Sequence, residues 1–182
     1  LYGMANARTL RVTEYAVTLE GAGEDMTVAL LADLHLGYST DPAYIERAAQ
    51  AVNDMQPDLI VVAGDIFDNE YEAVPEPDRI AAALASMHST YGAYACWGNH
   101  DLSEPILAGF TWGTEDEEKN DPQMAGFLRR AGINLLEDEK VTLKNGVQLV
   151  GRKDPSRDRK LGDERLSPAE WAGLLEPEKP AF

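Results

Sequence analysis

Leu59-Ile60-Val61-Val62-Ala63, followed at once by Gly64-Asp65-Ile66-Phe67-Asp68, decides how this chain folds. The unbroken apolar run is the pattern of a strand covered on both faces. The glycine after it lets the backbone pass close to a neighbour, and two carboxylates follow. The same arrangement appears twice more. Met26 to Ala32 is nearly all apolar and runs into Asp33-Leu34-His35. Tyr91 to Trp97 runs into Gly98-Asn99-His100-Asp101. Between the strands, Asp41-Pro42 reads as an N-cap and first helical residue, opening a helix to about Gln56 with Ile45, Ala48, Ala49 and Val52 inward. A second helix, Pro77 to Ser89, buries Ile80, Ala83, Leu84 and Met87. This β-α-β-α-β order implies an α/β fold with a mostly parallel sheet and right-handed crossovers. All three acidic motifs then fall on the carboxyl edge of one sheet, where open α/β sheets bind ligands.

Around this centre the pattern is looser. Residues 9–20 alternate, Tyr15, Val17 and Leu19 against Glu14, Thr18 and Glu20, as a half-buried strand does. Asp121-Pro122 repeats the N-cap and proline start for a helix to about Ala131, and a later hairpin turns at Asn145-Gly146. Residues 152–166 read as a charged loop, and Ser167-Pro168-Ala169-Glu170 opens a last short helix with a capping box.

With 182 residues, the chain is expected to be a single domain over 1–182. Its lone cysteine, Cys96, excludes an internal disulfide framework and sits in an apolar strand, where a thiol is buried and inert. A net charge of −16 disfavours nucleic acid, whose binders draw affinity from Lys and Arg against phosphates. Bound cations can invert that field locally, so a phosphorylated small molecule or a lipid head group fits better as a partner. No apolar run approaches the roughly 18–20 residues of a membrane span. The expected location is cytoplasmic or peripheral to a membrane, and a first residue of Leu1 leaves room for an anchor upstream.

Carboxylate, imidazole and carboxamide groups converge in the three motifs. Asp33 and His35, two apart at a strand end, can reach one cation. Asp65 has two oxygens and can bridge two metals, and Asn99 offers a neutral oxygen to the second. His100 can then face substrate while Asp101 holds its ring and tautomer. Unneutralised, these acids repel one another, which argues for metal. Singly, each Asp could equally form a turn or cap a helix. Asp68 is expected to support the loop, and His88 to sit on a helix face with no ligand role. Phe110 and Trp112 could form an apolar lip, the Glu115–Glu118 run is a solvated loop, and Arg152 and Lys153 could neutralise phosphate but are expected to face solvent.

As a set, Asp33-x-His35, Gly64-Asp65-x-x-Asp68 and Gly98-Asn99-His100-Asp101 resemble the calcineurin-like metallophosphoesterases. The resemblance implies a four-layer α-β-β-α sandwich of which this chain is the N-terminal part. It also implies a dinuclear centre of manganese, iron or zinc, with Asp33 and His35 on the first metal, Asp65 bridging and Asn99 on the second. His100 would assist the leaving group, and a metal-bound hydroxide would attack phosphorus in line to hydrolyse a phosphomonoester or phosphodiester. The family's later Gly-His and Gly-His-x-His segments are absent; the only histidines are His35, His88 and His100. The domain is therefore expected to be incomplete at its C-terminal end, with weak or partial metal occupancy and little turnover unless a C-terminal fragment completes it. The competing reading is a non-catalytic scaffold on the same fold.

Overall fold

The computed structural model describes residues 9–18, 23–103, 106–107, 110–111, 121–156, 162 and 164–181. Its centre is a four-stranded sheet of β1 (Val28–Leu31), β2 (Leu59–Ala63), β3 (Ala93–Cys96) and β6 (Ile133–Leu135), in that spatial order and parallel throughout. Helix α1 (Pro42–Asp54) connects β1 to β2, α2 (Pro77–Ala85) precedes β3, and α3 (Pro122–Arg130) precedes β6. A two-residue pair, β4 (Ile106–Leu107) with β5 (Phe110–Thr111), lies between β3 and α3 in sequence. The chain then forms the antiparallel hairpin β7 (Glu139–Thr142) and β8 (Gln148–Gly151), and helix α4 (Pro168–Leu174).

Local chemistry sets the helix starts. Asp41 and Asp121 each cap a helix, accepting from Ala43 N and Gln123 N, with proline at the first helical position. Ser167 and Glu170 form the reciprocal capping box of α4. The second helix ends earlier than its periodicity suggests: Ser86 closes it at Ala85, so His88 lies beyond the helix with its Nδ1 2.8 Å from Ser86 O.

Two apolar layers sandwich the sheet. One face, with Ala29, Ile60, Val62, Ala95 and Ile133, packs on Ile45 and Val52 of α1, Ile80 and Leu84 of α2, and Phe127 and Leu128 of α3. The other face presents Val28, Leu59, Val61 and Tyr94 to Leu143, Val147 and Leu149 of the hairpin region. The hairpin is short and covers only the amino-terminal part of that face. Leu30 is consequently 67 % exposed, where its apolar run predicts cover on both sides. The described residues thus form three layers of the expected four. The alternating segment also differs from its reading. Residues 9–18 are irregular and exposed, with Tyr15 at 86 %, because no described strand lies alongside to pair them.

No helix among the described residues is long and apolar enough to cross a membrane.

Candidate metal centre

Pairing between β1 and β2 is interrupted at the motifs and then resumes. Leu31 faces Val62, and Leu36 again faces Phe67 in a parallel bridge, so both chains detour by the same length and keep register. Within the detour Asp33 N donates to Gly64 O, His35 N to Asp65 O and Leu36 N to Ile66 O. The backbone there is strained. Asp33 (φ 52°), His35 (φ 42°), Asp65 (φ 48°) and Asn69 (φ 64°) all occupy the left-handed region. Each such residue costs of order 1–3 kcal/mol, and strain of this kind gathers where function holds it in place. Turn formation alone does not call for four of them side by side, and none of these residues caps a helix.

Glycines let the loops close. Gly64 (φ 77°) passes so near β3 that an added Cβ would lie 2.9 Å from Gly98 Cα. A Cβ on Gly98 would collide with the Asp65 carboxylate and amide. The carboxylate is fixed by His100, whose N donates to Asp65 Oδ1 at 2.9 Å.

Two overlapping donor groups result: Asp33, His35 and Asp65, and His35, Asp68 and His100, the chosen atoms of each lying within 4.8 Å of one another. His35 Nε2 is 3.9 Å from Asp33 Oδ1, and its Nδ1 is 3.7 Å from Asp68 Oδ1. Those gaps exceed a hydrogen bond. Each suits a pair of donors on one cation at roughly 2.0–2.2 Å, Nε2 with Asp33 or Nδ1 with Asp68, so the ring faces one group through each nitrogen. The rings of His35 and His100 meet edge to face, centroids 5.0 Å apart. A set of carboxylate oxygens and imidazole nitrogens at this spacing fits a divalent transition metal.

The remaining residues sort differently from their sequence reading. Asn99 is exposed at the turn, held by its neighbour's bond to Asp65. Asp68, expected only to support the loop, stands in a donor group. Asp101 does not present its carboxylate to solvent at the site. It is 2 % exposed, and its two oxygens accept from Phe67 N and Gly98 N, both at 2.7 Å, tying the β2 loop to the β3 loop. Burial pushes its carboxyl up to about 6; the Gly98 and Phe67 amides pull the other way and the Asp65 charge adds to the rise. The partner of His100 Nδ1 is Asn69 Oδ1 at 2.8 Å, with Asn69 buried and its N bonded to His100 O. Sequence reasoning missed Asn69. Its only signal was a polar residue directly after the Asp68 motif.

His88 lies with Ser86 and Asn53, outside both donor groups. Trp112 and Glu115–Glu118 lie outside the described residues, and for Phe110 only the backbone is described. Cys96, expected to be buried, is only half-buried; what burial it has raises its thiol, and the negative charges of Asp101 and Asp154 add to the rise.

Comparison with known proteins bears on this arrangement directly. Residues 26–172 match the family model of the calcineurin-like phosphoesterases. The chain belongs to this family. Three similar relatives of this calcineurin-like phosphoesterase differ in kind. The UDP-2,3-diacylglucosamine pyrophosphatase LpxG of Chlamydia trachomatis is 25% identical in an alignment of length 162 that covers 71% of this chain and 49% of that protein. An uncharacterized metallophosphoesterase of Aquifex aeolicus is 27% identical over 84% of this chain and 52% of its own length. A zebrafish (Danio rerio) transmembrane protein with metallophosphoesterase domain is 30% identical over 60% of this chain and 25% of its own length. The phosphoesterase chain thus spans about half the length, or less, of these curated relatives.

Proposed function

We propose that this chain supplies one wall of a dinuclear phosphoesterase centre, and that the protein it belongs to hydrolyses a phosphomonoester or phosphodiester. The observation that carries the reading is the pair of donor groups meeting at His35, built on four strained residues at one sheet edge. Asp33, His35 and Asp65 would hold one metal, and Asp68 and His100, with Asn99 as a neutral oxygen donor, would supply ligands to a second that Asp65 would share. Manganese, iron or zinc, when bound, supplies Lewis acidity and a nucleophile at neutral pH.

The chain's own residues do the rest. Asn69 accepts from His100 Nδ1, which fixes the ring and leaves Nε2 facing away from that bond, toward the donor groups or the substrate. Asp101 locks the two loops without touching substrate, so we assign it a positioning role. Gly98 clears space for the Asp65 carboxylate.

Both groups depend on the single His35 imidazole, so the described residues provide a full ligand set for fewer than two metals. On its own the chain therefore binds metal weakly and turns over little; a C-terminal fragment carrying further imidazoles completes it. The substrate is a phosphorylated small molecule or lipid head group, met in the cytoplasm or at a membrane surface. The LpxG relative, a UDP-2,3-diacylglucosamine pyrophosphatase, supports that class. The test is hydrolysis of nitrophenyl phosphate and bis-nitrophenyl phosphate by the longer protein with Mn²⁺. We expect metal-stimulated turnover that Asp65→Asn abolishes; no turnover of either ester would favour the scaffold reading.

A further inference from the structure

Arg152 and Arg165 stand apart from the donor groups, and no carboxylate pairs with either among the described residues. Arg152 Nε, Arg165 Nε and Trp171 Nε1 are shut off from solvent without a hydrogen-bond partner. Arg152 lies over the Trp171 ring, Cζ 5.0 Å from its centroid, and its Nη2 donates to Leu166 O at 2.9 Å. Arg165 is the residue before Leu166, so the second guanidinium starts from adjacent backbone.

Asp138 holds this corner together. Its Oδ1 accepts from Lys153 N at 3.1 Å and its Oδ2 from Leu166 N at 2.7 Å. Each arginine is thus the residue immediately before a clamped amide. Asp138 has committed both oxygens to backbone and sits in the left-handed region (φ 54°), so it braces the arginines without neutralising them.

Each of these half-buried guanidiniums carries a desolvation cost that no described carboxylate offsets. A chain with 32 acidic and 16 basic residues could easily have placed a carboxylate here, and the described residues place none. Buried donors left open in this way need an explanation, and an anion held by the guanidiniums would supply one. Arginine's planar fork is matched to phosphate oxygens.

The position gives this a use. Asp138 follows β6, the sheet neighbour of β3, whose own end carries Gly98 to Asp101. The Asp138 turn that clamps both arginine segments therefore starts from the same carboxyl edge that carries the metal residues.

We propose that Arg152, Arg165 and Trp171 form a phosphate-binding subsite, and that the substrate carries a second phosphoryl group that docks there while its scissile ester lies at the metal residues. The substrate half of this rests on the function proposed above; the phosphate site does not. The first arm measures inorganic phosphate binding to the 182-residue chain by calorimetry in EDTA. Wild type should bind it, with Arg165→Gln weakening binding about ten-fold, as loss of one charge-assisted contact implies. Arg152→Gln should do the same; if removing its stack on Trp171 unfolds the chain, Arg165→Gln decides alone. No binding, or equal binding by Arg165→Gln, overturns the site.

The second arm adds Mn²⁺ and compares a hexose 1,6-bisphosphate with the 6-phosphate. A gain for the bisphosphate that Arg165→Gln removes supports a doubly phosphorylated substrate. Equal affinities overturn that assignment and leave free phosphate as the ligand. Mn²⁺ uptake without phosphate binding defeats the subsite alone, and phosphate binding without Mn²⁺ uptake defeats the phosphoesterase reading alone.

Discussion

Asn69 Oδ1 lies 2.8 Å from His100 Nδ1, joining the loop after β2 to the loop after β3 across 31 residues of sequence. An amide oxygen can only accept, so this contact selects a proton on Nδ1 and turns Nε2 to a metal or a substrate. A second bond, Asn69 N to His100 O, makes the link two-sided.

Asn69→Ala should therefore release the ring. ¹⁵N spectra of the wild type should show the Nδ1–H tautomer for His100, and the variant a mixture of both. Metal affinity should fall about ten-fold, the range found when a ligand's outer partner is removed. An unchanged tautomer in the variant would show that Asn69 does not orient the ring.

Gly98→Ala should damage the site without touching a ligand. Its Cβ collides with the Asp65 carboxylate and amide, and the nearby backbone of the β2 loop cannot retreat cheaply. We expect a loss of about 1–3 kcal/mol in urea unfolding, together with reduced metal binding. Full metal binding in a destabilised variant would mean that Asp65 can shift without consequence.

Asp101→Ala leaves the Phe67 and Gly98 amides without their acceptor. Two donors, one buried and one part-buried, at about 1–3 kcal/mol each put the expected loss at roughly 2–6 kcal/mol, measured by denaturant unfolding. A loss within 0.5 kcal/mol, about the noise of a surface substitution, would remove Asp101 as the clamp between loops.

The same residue gives a pH dependence in metal-free protein. Its folded pKa of about 6 lies above the ordinary 3.8, so the folded state holds this proton more tightly than the unfolded chain does. The contribution is full below about pH 3.8 and is lost as pH rises through about 6, amounting to roughly 3 kcal/mol for a shift of about 2 units. The difference in stability between wild type and Asp101→Asn, followed in EDTA from pH 4 to 7, should change by that order in the wild type's disfavour. A flat difference would mean that burial does not raise this carboxyl.

Much of the fold was legible because the strands of the series are apolar runs ended by glycine or aspartate, and each helix opens on an N-cap with proline or on proline itself. Asp33, His35 and Asp65 could be grouped for the same reason: parallel pairing puts strand ends side by side. Residues 9–18 were not legible, since alternation specifies a buried face but not the neighbour that buries it; residues 19 and 20 of the same segment lie outside the described residues. The two roles given to the β3 motif were exchanged in part. Asp101 looked like the partner of His100 because it follows it, yet the turn at 99–100 sends its carboxylate inward, and a residue from the other loop takes its place. Arg152 was read as solvent-facing because its neighbours are charged; nothing local announces the Trp171 ring beneath it.

The central claim is that Asp33, His35, Asp65, Asp68 and His100 form a metal site. Titration of the 182-residue chain with Mn²⁺, following free ion by electron paramagnetic resonance, tests it most directly. Asp65→Asn is the matched control, because its amide oxygen can still accept from His100 N and preserve the loop. We predict saturable uptake by the wild type and its loss in Asp65→Asn at unchanged circular dichroism. No uptake by the wild type, or equal uptake by the folded variant, would contradict the account.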